Sequence, residues 1–315
     1  LGIHGSPTCE LQFTDAPARL IGQRKRGLST YVLALMNGAR LAIAAQGIGI
    51  AQAALEEALE YAAQREQFGR PIRQFPAVRQ MLGDMHMKVE TSRLLTYETA
   101  IAVDMAENIE KLRAGGELSS LPGGDELAAQ GRWYTTLARA LTPVAKYYAT
   151  EMCNQVTYDA IQVLAGSGYM RDYNLERHYR DARITTIYEG TTQIQHNAAI
   201  GYVMKGTFEQ RFAQMHQQLG SAGADAAMLD ALSEARRWLA EAIEFTAGQD
   251  TDFRDLHAAR LVESATLIYC GYLLLEPAMR SSHKQALAEN FMSEALPRVH
   301  MSRDQILSGC RTYLD

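Results

Sequence analysis

"ARLAIAAQGIGIAQAALEEALEYAAQ", residues 39–64, reads as one unbroken helix. It belongs to an alanine-rich run over 28–67 in which Leu28, Val32, Leu35, Ala39, Ile43, Gln46, Ile50 and Ala54 recur at spacings of three and four, the signature of one helix face. A helix of that length spans about 60 Å at a rise of about 1.5 Å per residue. Its small residues, Ala39, Ala42, Gly47 and Gly49, suit close approach by neighbouring helices.

Outward from this run the pattern stays helical. "FGRPI" (68–72) breaks it, and Pro76 is placed to open a second helix with Val78, Met81, Leu82, Met85 and Val89 on its apolar side. "RAGGELSSLPGGDE" (113–126) is a loop by composition. A third helix is expected over 128–164, with Pro143 bending it, and a fourth over 191–204. Between them 165–184 reads as a long polar connection, a length at which loops tend to carry function. Residues 207–315 read as further amphipathic helices split near Gly220–Gly223, Gly248–Thr251, Ser281–His283 and Pro297. Only "TCELQF" (8–13), with its period-two alternation, reads as strand. The expected fold is mainly α: a β remnant at 1–27, a helical bundle at 28–206 and an additional helical unit at 207–315. The chain begins at Leu1 rather than Met and reads as a fragment of a longer protein.

Composition narrows the function classes. Net charge is −5 with acids and bases interleaved, so no clustered basic surface points to nucleic acid. The four cysteines, Cys9, Cys153, Cys270 and Cys310, show no CxxC or Cys/His cluster, and are read as buried free thiols of a reducing, cytoplasmic compartment. No metal site is indicated. The longest apolar run, near 267–275, is too short to cross a bilayer, and no signal peptide or basic amphipathic face points to a membrane.

"TTIYEGTTQIQ" (185–195) holds the main chemical candidate. Glu189 sits between Tyr188 and Gly190 just before a helix, so two readings stand. It is a carboxylate stabilised by the helix N-terminus, or it is a base that removes a proton α to a carbonyl whose oxygen is held by backbone N–H groups. Tyr188 can wall off water, and Gly190 lets a flat ligand approach the backbone. In "REQFG" (65–69), Arg65 can grip a phosphate and Phe68 can pack on a ring, or the pair is a surface ion-pair residue beside a core ring. "QVLAGSGYM" (162–170) exposes amides near Gly166 and Gly168 or is a plain tight turn. Arg40 either snorkels from the first helix or faces a polar ligand. Arg180, Asp181 and Arg183 read as a structural ion-pair network, and His178 and His196 as solvent-facing.

The stretches "YAAQREQFGRPIRQFPAVRQMLGDM", "DAIQVLAGSGYMRDYNLERHYRDARI" and "TTIYEGTTQIQHNAAIG", in this order, resemble signatures of the acyl-CoA dehydrogenase family of flavoproteins. "GIHGSPTCELQF" and "LIGQRKRGL" resemble the end of that family's middle β-domain, and 207–315 resembles the helical extension of its long members, similar to 3-methylmercaptopropionyl-CoA dehydrogenase. The resemblance implies FAD, an acyl-CoA substrate and α,β-dehydrogenation to a trans-2-enoyl-CoA in fatty acid metabolism. Glu189 matches the catalytic base, with the β-hydride passing to flavin N5. Arg40, Tyr188 and Gly190 match residues near the acyl-CoA. Arg65, Gln67 and Phe68 match FAD contacts typically made across a subunit interface, as do Gln162 and Gly166. Thr191 and Gln193 match the adenosine side of FAD. Some relatives carry the base immediately before the arginine that Arg40 matches; Ala39 stands there, which leaves Glu189. Ala165 stands where the family usually has glycine. A homodimer or homotetramer and an electron-transfer flavoprotein as acceptor are implied. With the family's other domains outside the chain, weak FAD binding and little turnover are expected of it alone. An acyl-CoA oxidase and a non-catalytic helical assembly module are the rival readings.

Overall fold

Proline has no N–H to give to a preceding turn, so it suits the first position of a helix and little else in one. Pro76 holds that position in the longest-range scaffold of the chain. The computed structural model describes residues 1–314, and for residues 29, 33, 34 and 37 the backbone alone. Three long helices form the frame: α1 (Leu33–Gln64), α2 (Pro76–Ala114) and α3 (Gly124–Leu164). A π-helical turn, Gly27–Val32, leads into α1, and Pro143 is accommodated inside α3. Between α1 and α2 the chain makes a two-stranded hairpin, β1 (Glu66–Gln67) against β2 (Arg70–Pro71). The residues at its tip, Phe68 and Gly69, both have positive φ (52° and 79°), the backbone that a two-residue hairpin turn of matching twist requires.

The helix face of α1 differs from the one expected. Leu28 and Leu35 are exposed, while the buried stripe runs Arg40, Ala44, Gly47, Ala51, Ala54, Leu55, Ala58 and Ala62. Bulky residues had suggested the wrong phase because the contact with α3 is made by small ones. Gly47 shows why: a methyl there would stand 3.2 Å from the Ala149 carbonyl oxygen of α3. Gly49, by contrast, is exposed with open space around it.

Residues 8–13 are irregular and exposed instead of a strand. A strand needs a neighbour's backbone groups to pair with, and among the described residues the only ladder joins β1 to β2. The expected connection at 165–184 is instead mostly helical: α4 (Gly166–Tyr169) and α5 (Leu175–Thr185). Leu175, Ala182 and Thr185 give α5 a narrow buried stripe under an otherwise charged surface, a pattern that the local glycines and charges hide. The fourth long-expected helix is α6 (Thr192–Met204). The tail forms α7 (Thr207–Ser221), α8 (Ala226–Ala247), α9 (Thr251–Ala278) and α10 (Ser282–Leu307). The Asp225 and Asp250 carboxylates accept the Met228 and Phe253 N–H and so cap α8 and α9. Pro297 lies within α10 rather than ending it.

The tail does not build a core of its own. One apolar cluster runs from Ala44 on α1 through Leu95, Leu141 and Val203 to Phe212, Leu261 and Ile306. Its densest part is a ring group in which Phe208, Phe212, Tyr269 and Tyr272 meet. Polar pins accompany it: Arg211 donates to Glu98 at 2.7 Å, and the Tyr269 hydroxyl donates to the same carboxylate at 2.9 Å. A smaller cluster fills the far ends of α1 and α3. By length and composition α9 is long enough and apolar enough to cross a bilayer, unlike the shorter run read from sequence, but 78% of that window is buried inside this core. Cys153 and Cys270 are buried as expected, whereas Cys9 and Cys310 are exposed.

The two glycines of α1 give a paired test. Gly47→Val is expected to lower stability by about 1–3 kcal/mol through forced separation of α1 and α3. Gly49→Ala is expected to raise it by about 0.5–1 kcal/mol, because only backbone entropy changes. Urea unfolding midpoints of the two variants measure both signs.

Candidate active site

The α5–α6 turn carries Glu189 in an unusual backbone state. Glu189 and Gly190 both have positive φ, at 53° and 93°. For a glutamate this conformation costs on the order of 1 kcal/mol and persists only where the surroundings impose it. Gly190 has a second constraint: a methyl there would lie 2.8 Å from the Gln195 side-chain nitrogen. The surroundings that impose the turn come from three helices. Lys146 Nζ on α3 donates to the Gly190 carbonyl at 2.7 Å. Gln195 Nε2 on α6 donates to the Gly190 and Glu189 carbonyls at 2.9 and 3.1 Å. The Tyr188 hydroxyl donates to Gln46 on α1, and the Thr192 hydroxyl donates to Glu151 on α3. The turn closes on itself through Thr192 N–H to the Thr186 carbonyl at 3.1 Å.

Glu189 is not the cap of the following helix; Thr191 occupies that position. Among the described residues the Glu189 and Gly190 N–H groups donate to no backbone carbonyl. Glu189 is half-buried and shares its surroundings with two buried cations. Arg40, 8% exposed on α1, is buried rather than snorkelling. Burial lowers its pKa, and the Glu189 charge works against that. Lys146 is fully buried. Burial pushes its ammonium down to about 8, with Glu151 and Glu189 opposing and Arg40 adding to the shift. Burial likewise raises the Tyr188 hydroxyl, and the Glu189 charge adds to that. Lys146 was missed from sequence. Its signal was present as the lone charge in the apolar stretch "LTPVAKYY" (141–148).

A second group forms elsewhere. Arg65, Gln67, Phe68 and Gly166 line one cavity of about 580 Å³ at the far ends of α1 and α3. Gln162 lies just before it, its carbonyl accepting the Ala165 N–H at 3.2 Å. Phe68 stands 93% exposed at the hairpin tip rather than in a core, with only an edge contact to Phe75 at 6.1 Å between ring centroids. Ala165 has φ 51° and ψ −132°, a backbone that glycine adopts far more easily, so a glycine would be at home there. Arg40 and Arg65 are 25 residues apart on α1. That is about 37 Å at a rise of about 1.5 Å per residue. The two groups are therefore not one site within this chain. Thr191, half-buried, and Gln193, exposed on the first turn of α6, belong to the Glu189 end.

The ion pairs of 180–183 also differ from expectation. Arg180 pairs with Glu176, the Asp181 carboxylate accepts the Ile3 N–H at 2.6 Å, and Arg183 donates to the Thr186 hydroxyl. They anchor the first residues and the turn instead of one another. Neither histidine faces free solvent: His178 lies 3.3 Å from Glu57, and His196 packs its ring on Tyr147 at 4.5 Å. Burial pushes His196 down to about 4.

This arrangement is a half-buried carboxylate on a turn held by hydrogen bonds from three helices, with two buried cations beside it. Residues 41–193 match the family model of the acyl-CoA dehydrogenase C-terminal domain. The match gives these residues the character of an acyl-CoA dehydrogenase C-terminal domain. The chain is 35% identical over 208 residues to the caffeyl-CoA reductase–Etf complex subunit CarC of Acetobacterium woodii, covering 65% of this chain and 47% of that protein. It is 36% identical over 198 residues to the short-chain specific acyl-CoA dehydrogenase of Megasphaera elsdenii, covering 62% and 44% respectively. The chain thus spans about half the length of the curated relatives it matches. Its fold is similar to that of the Bacillus anthracis acyl-CoA dehydrogenase complexed with FAD, with a TM-score of 0.69 at 21% identity over 88% of this chain and 50% of that one. It is also similar to Caenorhabditis elegans ACDH-11 in complex with C11-CoA, with a TM-score of 0.66 at 21% identity over 88% and 46%. At 88% coverage the likeness of fold reaches into α7–α10, beyond the matched domain.

His196 gives the site a pH signature. Its pKa is about 4 folded and near 6.5 unfolded, so between these values the unfolded chain holds the extra proton and stability falls as pH falls. His196→Leu is expected to flatten the loss of stability between pH 6.5 and 4. Urea midpoints of variant and wild type across that range measure it.

Proposed function

We propose that this chain supplies the base and part of the cofactor-contacting surface of an FAD-dependent enzyme that oxidises an acyl-CoA thioester to its trans-2-enoyl-CoA. The observation that carries the reading is the Glu189 turn: a half-buried carboxylate, fixed by three helices, beside the buried Arg40 and Lys146. A thioester α-carbon holds its proton tightly, so removal needs a positioned base and donors for the carbonyl oxygen. Glu189 takes the proton; its own N–H, which donates to no backbone carbonyl among the described residues, is the donor that the chain offers to that oxygen. Tyr188 and Gly190 shape the approach, and Arg40 places a buried cation in the same surroundings. Bound FAD would supply the two-electron acceptor for the β-hydrogen.

The chain's own residues fit that group at the second site. Arg65 offers a cation for the pyrophosphate, Phe68 an uncovered ring face, and Gly166 backbone with open space around it. Gln67 and Gln162 add amides there, and Thr191 and Gln193 serve the adenosine side at the other end. Because the two ends stand tens of ångströms apart, an FAD that touches both is shared between two copies, which makes the working unit a homo-oligomer. An electron-transfer flavoprotein would be the partner that reoxidises the cofactor. The name of the Acetobacterium relative, a subunit of an Etf complex, supports that partner. It also supports a second reading, reduction of an enoyl thioester by the same residues, with Glu189 returning the proton.

Glu189→Gln decides the role of the base. In the full-length protein, with FAD supplied and an artificial acceptor, turnover of an acyl-CoA panel is expected to fall by about 10²–10⁴-fold. FAD affinity is expected to stay the same. Unchanged turnover would overturn the assignment.

A further inference from the structure

Lys146 is an expensive residue for its place. It sits mid-way along α3, fully buried, in a stretch where Met or Leu would fill the same volume. Leu141, Val144, Ala145 and Ala149 of the same helix are buried as well. Its ammonium donates to the Gly190 carbonyl at 2.7 Å, one residue beyond the Glu189 carboxylate. Three charged groups bear on it: Arg40 from α1, Glu151 from α3 and Glu189 from the turn. Gln195 reaches the same carbonyl from α6, so Gly190 is held from two sides. A turn of two successive left-handed residues, one of them a glutamate, relaxes to commoner backbone angles unless its carbonyls are held.

We propose that Lys146 is the positioning residue of the Glu189 base: from the centre of α3 it holds the Gly190 carbonyl inward, fixes the 186–191 turn in its strained form, and keeps a positive charge beside the carboxylate. This rests on the reading of Glu189 as a base. The arrangement links geometry to charge. Loss of the Lys146 proton, or of the side chain, removes a cation near Glu189 and so disfavours the ionised base. A side chain retained only to fill space would affect neither.

The test uses the intact chain with Lys146→Met, which keeps volume and loses the donor, and Lys146→Gln, which keeps a neutral donor. Amide hydrogen exchange at neutral pH is expected to quicken at least about tenfold over 186–191 in Lys146→Met, the loss of one hydrogen bond from a charged group. Amides in the middle of α3 and α6 are expected to keep wild-type rates. Lys146→Gln is expected to regain most of the turn's protection. In the full-length, FAD-supplied protein both variants are expected to move the acid limb of the kcat profile up by at least about half a pH unit, because the base has lost its neighbouring cation. If Lys146→Met fails to fold, Lys146→Gln still reads the charge effect through that limb. Wild-type exchange over 186–191 in Lys146→Met, or an unmoved acid limb in Lys146→Gln, overturns the positioning role alone. Full turnover in Glu189→Gln overturns the base reading and takes the positioning role with it, so the two failures are distinct.

Discussion

A buried ammonium with one carbonyl to hold joins the helical frame to the chemistry. Lys146 reaches the turn only because α1, α3 and α6 are packed closely enough to enclose it. Alanine and glycine on α1 permit that closeness; at Gly47 the two backbones come within the reach of a single methyl group. Bulkier residues on this seam would push α1, with Arg40 and Gln46, away from α3, with Lys146 and Glu151. The same small side chains that make the core therefore set the spacing of the charges. This coupling explains why an expensive cation survives in an apolar helix: the frame isolates it from water, and the carbonyl and carboxylates around it offset part of that cost.

The four tail helices reinforce this frame from outside. Phe212, Tyr269 and Tyr272 extend the bundle's core without a break, and Glu98 on α2 takes hydrogen bonds from Arg211 and Tyr269 on two different tail helices. α2 and α3 are thereby backed along the side away from α1. A helix pair that is packed on both faces cannot shear readily. The turn at 186–191, which is tied to α3, inherits that rigidity. The tail is in this sense part of the site's support, although no residue of α7–α10 touches the turn in the hydrogen bonds described above.

What the sequence displays openly is periodicity, and what it conceals is phase and partnership. The long helices, the opening at Pro76 and the helical tail were legible from repeats of three and four. The buried face of α1 was not, because Leu28, Val32 and Leu35 advertise a hydrophobic stripe that the structure leaves exposed while alanines do the packing. α5 was hidden for the opposite reason: three buried contacts suffice to dock it, and seven polar or charged neighbours drown that signal. The 8–13 alternation was a real β pattern without a neighbouring strand to pair with. At the site, Glu189, Tyr188 and Gly190 could be singled out because acid, ring and glycine stand together in the chain. Lys146 and Gln195 could not, since their roles arise from where α3 and α6 cross the turn, and neither spacing nor composition encodes that crossing.

The distance between the two groups of site residues has its own consequence. Long helices fix it: with α1 uninterrupted from Leu33 to Gln64, Arg40 and Arg65 cannot approach one another without breaking the helix. A cofactor of nucleotide size cannot bridge about 37 Å. Residues at both ends serve one cofactor only if the end of one copy lies against the beginning of another. The exposed Phe68 fits that need, since a ring held out on a hairpin with positive φ at both tip residues is already ordered before anything binds it. Ordering in advance lowers the entropy lost on contact. The length of α1, which first appears as a matter of helix propensity, thus keeps the two groups of residues apart within one chain, and the proposed sharing of a cofactor between copies follows from that separation.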